Sequence, residues 1–385
     1  MIVNGQRKIL QKPAFALIVA LALIIAFGAN MQAAPAKPVK QSSPQPVAKT
    51  DTAEWKKVLE AAKKEGKIVI SGAPGEGWRK SLVDMFQQEY PEIAVEFSAG
   101  PSRNFWTRIQ QERALGKKLW DLRSGGPDTG AMDAKKRGFL APIRPLLMPD
   151  IADDSKWIGG IDGVFVDREK KYFFGYILYI QPSAYVNRDF IKESDLKSSA
   201  QLLDSKFKSK IVITTPTGGS SQNSLCHIAF MYGANFIRDL LSKQEMIITD
   251  DNRQQVEWVV RGKYPIAIGF SKTLLIPFEK QGLGRNIVAT EDKVIRLTTG
   301  SGTLSLLEGA PHPNATKVYI NWLLSQKTQI MLSRNIEHNS SRTDVPPVET
   351  AVDPGQLSKY RFGNTEENTE IDDSVLPVIR EALKK

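Results

Sequence analysis

Cysteine and histidine are scarce in this chain of 385 residues. A single cysteine, Cys226, excludes an internal disulfide, and no cysteine near the amino terminus offers a lipid-anchor site. Histidine occurs at 227, 312 and 338 only, with no two at metal-ligand spacing. Nucleotide loops are missing too. Gly72, Gly75 and Gly77 follow a strand but have the wrong spacing for a dinucleotide fingerprint, and there is no Walker loop. No cofactor and no metal is therefore expected. G-x-S-x-G is absent, and Gly300-Ser301-Gly302 is too short for a nucleophile elbow.

Acidic residues are missing from the first 50 positions. Arg7, Lys8 and Lys12 precede an apolar run of about 14 residues between Ala14 and Gly28. Roughly 20 such residues are needed to span a bilayer. A basic start, a short apolar core and the small residues of Ala34-Pro35-Ala36 read as a secretory signal over residues 1–36, with Ala33/Ala34 as a second possible cut. An uncleaved inner-membrane anchor is the other reading of this segment. Either way the folded part works outside the cytoplasm, in the periplasm. Residues 37–52, rich in Pro, Lys, Ser and Gln, read as a flexible linker.

The net charge of +10 falls to about +7 without the three signal cations. Lys and Arg are interspersed with acids and form no stripe, so no nucleic-acid partner is expected. Asp153-Asp154, Asp250-Asp251 and Asp372-Asp373 lie in polar stretches and read as solvated. His312 and His338 read as surface residues. His227 and Cys226, in SLCHIAFMYG, read as packed helix positions.

The rest is regular. A helix carrying Trp55, Val58, Leu59 and Ala62 on one face ends at Gly66. Strand–loop–helix units then repeat: KIVI (67–70) into SGAPGEG, IAVEF (93–97) into SAGPSR, and LWDLR (119–123) into SGGPD. A second series begins at KIVITTP (210–216), followed by TGGSS and a helix. A strand YPIAIGF (264–270) comes later. Successive βα units imply parallel sheets flanked by helices. The run 172–187, interrupted by Gly175 and Pro182, reads as two extended pieces, one crossing between lobes.

Four loops share one position, after a strand and before a helix, and that edge of an open α/β sheet is where ligands bind. Helix amino termini there offer free N–H groups to an anion. Candidate ligand-binding residues are Ser71, Gly72, Ala73, Gly75, Arg123, Ser124, Gly125, Thr217, Gly218, Gly219, Ser220, Ser271 and Lys272. Of the aromatic residues near strand ends (Trp78, Phe105, Trp106, Tyr179, Tyr185 and Phe270), most read as core. Tyr185 is the one taken as a ligand contact.

The order of EWKKVLEAAKKEGKIVISGAP, KLWDLRSGG, AYVNRDFI, KFKSKIVITTPTGG, VVRGKYPIAIGFS and ATKVYINWLLSQKTQIMLSR resembles the extracellular solute-binding proteins of bacterial ABC importers. It is most similar to the ferric-ion-binding subgroup, over most of residues 54–345. The resemblance implies an α/β, two-lobed periplasmic-binding-protein-like fold (type 2) with two crossing strands. It also implies a monomer that closes on a small solute and delivers it to a membrane permease, with no enzymatic step. The lobes would be residues 53–180 plus 295–340, and 181–294 plus 341–385. One departure stands out. The subgroup carries a tyrosine pair after the strand that here reads AIGF, whereas this chain has Ser271, Lys272 and Thr273, and no Tyr-Tyr anywhere. A lysine offers only donors, which favours an anionic or zwitterionic solute over Fe(III). Two other readings stay open: an exported hydrolase-type enzyme on a similar frame, and a membrane-tethered ligand sensor.

Overall fold

The computed structural model describes residues 52–384. The expected signal peptide and all of the linker but Thr52 lie outside them. The first described helix, Ala53–Glu65, begins where Thr52 Oγ1 accepts the Trp55 N–H at 3.2 Å, and it ends at Gly66 in the left-handed region.

Two separate sheets are joined by a third. In the first, Lys67–Gly72 pairs in parallel with Ala94–Ala99 and with Leu122–Ser124. The late strand Thr303–Leu307 then enters antiparallel beside Leu122–Ser124 and also pairs with Leu140–Ala141 and Phe174–Gly175. In the second, Ile211–Thr214 pairs in parallel with Ile247–Thr249 and Ile266–Ile268. Ala184–Asn187 and Ile287–Ala289 complete it antiparallel. Each sheet is thus mixed: a parallel βα part carries the cleft loops, and antiparallel returns close the other side.

The third sheet is the crossing. Ile177–Ile180 and Ile295–Thr298 run antiparallel, as the two expected crossing strands. Asn339–Ser340 and Tyr360–Gly363 flank them, making four strands. Residues 341–385, expected from the sequence to belong to the second lobe, divide between the first lobe, the crossing sheet and the second lobe. Arg342 lies over Trp157 and pairs with Asp344 beside the first sheet. Tyr360–Gly363 lies in the crossing sheet, and only Leu376–Ala382 packs into the second core, through Leu376 and Ile379. Asp372, which reads as solvated in the sequence, forms a buried pair with Arg361 at 2.5 Å. Asp372 is therefore not solvated.

Each lobe has its own core. Ile68, Ile70, Leu122, Leu304 and Leu306 meet Trp78, Phe86, Tyr319 and Trp322 in the first. Val186, Ile211, Ile213, Ile266 and Ile268 meet Leu225, Ile228, Ile237 and Leu240 in the second. Burying each such side chain contributes about 1.5–3 kcal/mol. The two cores are separate, and short strands join the lobes that hold them.

Candidate functional site

A cavity of about 740 Å³ lies between the lobes, walled by the strand-to-helix loops of both and by the crossing strands. That volume is in the range of small-molecule sites. Ala73, Arg123, Gly125, Tyr185, Gly218, Gly219, Ser220, Ser271 and Lys272 all stand on its wall.

Arg123 is the central side chain. It is 3 % exposed at the end of its strand. Its Nη1 donates to Ser71 Oγ at 2.6 Å, its guanidinium lies 4.8 Å from the Phe105 ring, and its Nε has no partner. Burial pulls its pKa down to about 10, with the Asp128 charge opposing, so it stays cationic at neutral pH. Gly125 makes room for it: a Cβ there would sit 2.7 Å from Nε. Asp128 is already engaged, since its Oδ1 accepts the Ala131 N–H at 3.0 Å and caps Thr129–Lys136. Burial pushes the Asp128 carboxyl up, and the Ala131 N–H and the Arg123 charge oppose.

Two helices open onto the cavity without a side-chain cap: Ser102–Ala114 in the first lobe, and Gly219–Tyr232 in the second. Their first N–H groups are free to meet a ligand. They approach one another. Arg103 Nη1 donates to Thr217 Oγ1 at 3.4 Å, and the Arg103 Cβ lies 3.9 Å from the position of a Cβ on Gly218. Gly219 has φ +60° with open space around it, which suits glycine at the helix start.

On the opposite side, Lys272 opens a short helical turn and is exposed to the cleft. Tyr185 packs against Phe270 at 4.9 Å, and burial raises its phenol pKa. Glu349 and His338 complete this wall. Asn339 holds Glu349 by its backbone: Asn339 Oδ1 accepts the Glu349 N–H at 2.8 Å, and Asn339 Nδ2 donates to Glu349 O at 2.7 Å. Burial raises the Glu349 carboxyl pKa, while the Lys272 charge opposes. His338 stacks on Tyr179 at 4.0 Å, and burial lowers its pKa to about 4.

Several expected contacts lie elsewhere. Ser71 and Gly72 belong to the strand itself, which runs two residues further than KIVI. Ser71 is buried beneath Arg123. Gly72 is glycine because a Cβ would strike the Phe97 ring at 2.7 Å. Neither is on the cavity wall. Gly75 also lies behind the wall, beside Trp78 and Leu274. Ser124 is buried against Tyr176, with 2.5 Å between hydroxyls. Thr217 faces Arg103 at the lobe junction. His338 is buried rather than on the surface, and His312 pairs with Asp121 at 2.8 Å. Arg103, His338 and Glu349 carried no motif. The one signal for Arg103 was its place in the first turn of a helix after a strand-end loop.

A two-lobed α/β frame with a polar cleft at the strand ends and a crossing sheet beneath it defines the class of periplasmic-type binding proteins. The chain belongs to the bacterial extracellular solute-binding proteins, whose family model matches residues 50–330. No curated protein matches the sequence. Solved structures share the fold. AfuA of Actinobacillus pleuropneumoniae, with fructose-6-phosphate bound, has TM-score 0.63 at 18% identity, covering 83% of this chain and 98% of its own. Iron-bound HitA of Pseudomonas aeruginosa has TM-score 0.62 at 16% identity, covering 82% and 99%. The substrate binding protein of an ABC transporter from Agrobacterium tumefaciens has TM-score 0.66 at 13% identity, covering 82% and 94%.

Proposed function

We propose that this protein is the periplasmic solute-binding subunit of an ABC importer and that it captures a small anionic solute by closure of its lobes. Residues 53–180 and 295–340 form one jaw, and residues 181–294 the core of the other. A membrane permease receives the load. The observation that carries the anionic reading is Arg123, a buried cation on the cavity wall with an unpartnered Nε. Leaving such a donor unsatisfied is costly, and an oxyanion is the natural partner. The uncapped helix starts of the two lobes support the same charge.

A catalytic reading has little support. Cys226 and His227 are buried on one helix, and burial raises the thiol pKa. The Cys226 thiol donates to the Asp372 carbonyl instead. Iron is also disfavoured. The positions after the AIGF strand are Ser271, Lys272 and Thr273, which bring no phenol to the cleft and place a cation there. Ferric citrate should give no tyrosinate-to-iron absorption band, and a stoichiometric band would refute this.

Native mass spectrometry of freshly purified protein tests the main reading. An anionic or zwitterionic adduct, lost on mild activation, is expected. A cationic or purely apolar adduct would remove the anion assignment.

A further inference from the structure

The cavity has two poles with opposite needs. At one, Arg123 brings a cation whose Nε lacks a partner, and the uncapped starts of Ser102–Ala114 and Gly219–Tyr232 open onto the same cavity. These two helix starts belong to different lobes, and Arg103 reaches Thr217 where they meet. Donors therefore arrive from more than one direction. A carboxylate offers two oxygens in one plane. A phosphoryl group offers three strong acceptor oxygens in three directions.

At the other pole stands Glu349. Its backbone is fixed by Asn339, it stands on the cavity wall with one hydrogen bond to its carboxylate, from the Ile180 N–H, and no lysine or arginine lies within 4 Å of it among the described residues. Lys272 acts on it only at longer range. One N–H leaves most of the acceptor sites of this half-buried carboxylate open, so it calls for donors on the ligand.

Size decides what spans the poles. At about 30 Å³ per water, the cavity of about 740 Å³ holds roughly two dozen waters. A bare oxyanion displaces only a few and reaches one pole.

We infer that the solute is an organic phosphate monoester or phosphonate whose far end carries hydroxyl or ammonium donors, with the phosphoryl group at Arg123 and the donor end at Glu349. This rests on the anionic reading above and sharpens it. Tyr179, Tyr185 and Phe270 line the space between, where a short carbon body packs against ring faces and edges.

Calorimetry on the exhaustively dialysed protein tests it with four probes: glycerol 3-phosphate, phosphoethanolamine, inorganic phosphate and malate. One or both esters should bind at least tenfold tighter than phosphate or malate. Glu349→Gln should weaken that ester about tenfold and leave phosphate unchanged, with an unaltered melting temperature confirming the fold. Tighter binding of malate would overturn the phosphoryl assignment while leaving the anionic reading intact. Equal binding of phosphate and esters, unaffected by Glu349→Gln, would overturn the second pole. Binding of none of the four would count against both the inference and the anionic reading beneath it.

Discussion

The two jaws meet the same cavity with different materials. The first presents buried, pre-bonded side chains: Arg123 anchored on Ser71 and pressed on Phe105, and Asp128 spent on a helix cap. The second presents glycines, hydroxyls and an exposed lysine at the starts of helical segments, at Gly218, Gly219, Ser220, Ser271 and Lys272. A buried anchored cation costs little further ordering when it binds, whereas an exposed lysine must be immobilised. The first jaw thus holds the solute and the second completes the enclosure, so substitutions in the two should differ in size.

The largest expected effect is at Arg123. Arg123→Met keeps most of the volume and removes the charge. Charge-assisted hydrogen bonds are worth about 1.5–3 kcal/mol, so affinity for the co-purifying solute should fall roughly 100-fold at about 1.4 kcal/mol per decade. Folding stability should change little, because replacing a desolvated cation by an apolar side chain is often neutral. Titration calorimetry and a thermal melt read the two separately. A large loss of stability with unchanged affinity would make Arg123 a structural strut.

A second effect separates the lobes by pH. His338 at the cleft and His227 in the second core both have pKa values lowered to about 4 by burial. The unfolded chain takes up these protons first, near pH 6.5, so it is favoured as pH falls. Stability is fully present above about pH 6.5 and is lost toward pH 4, by up to roughly 3 kcal/mol for each histidine. His338→Phe keeps the stack on Tyr179 and should remove about half of that slope. Urea unfolding at pH 7.5 and 4.5 measures it, and a flat wild-type profile would contradict the argument.

These two predictions lean on residues of very different legibility. The strand–loop–helix repeats announced the sheets, because hydrophobic periodicity and turn residues are local properties. The same locality placed Gly125, Gly218, Gly219 and Ser220 on the cleft. It failed at Ser71 and Gly72, where the strand runs on beneath Arg123 and the glycine answers to the Phe97 ring. It failed again at His338 and Glu349. Their segment looked like a polar surface loop, and only the crossing sheet, assembled from strands far apart in sequence, turns it toward the cavity. Burial of a polar residue is a tertiary fact with no local period. The buried Arg361–Asp372 pair was missed for the same reason.

A third prediction addresses the second jaw directly. Lys272 is exposed, so a charge-assisted bond from it to the solute stands at the weak end of the usual range, about 1.5 kcal/mol. Lys272→Ala should therefore weaken binding about tenfold, less than Arg123→Met, with little change in stability. Raising ionic strength should shrink the wild-type advantage, since exposed charges are screened. Equal losses at the two positions would erase the distinction between the jaws.

The smallest effect belongs to the junction itself. Thr217 takes no place on the cavity wall, but its hydroxyl accepts from Arg103 across the lobes at 3.4 Å. Thr217→Val keeps the shape and removes that acceptor. At that length and exposure the bond contributes about 0.5–1 kcal/mol, and it is made only when the lobes are close. Affinity should fall by roughly two- to fivefold, through faster release rather than slower capture. Stopped-flow fluorescence resolves the two rates, using the tryptophan Trp78 on the cleft wall as reporter. A loss beyond tenfold would mean that Thr217 touches the solute. A change confined to the capture rate would mean that Arg103 steers the solute rather than latching the lobes.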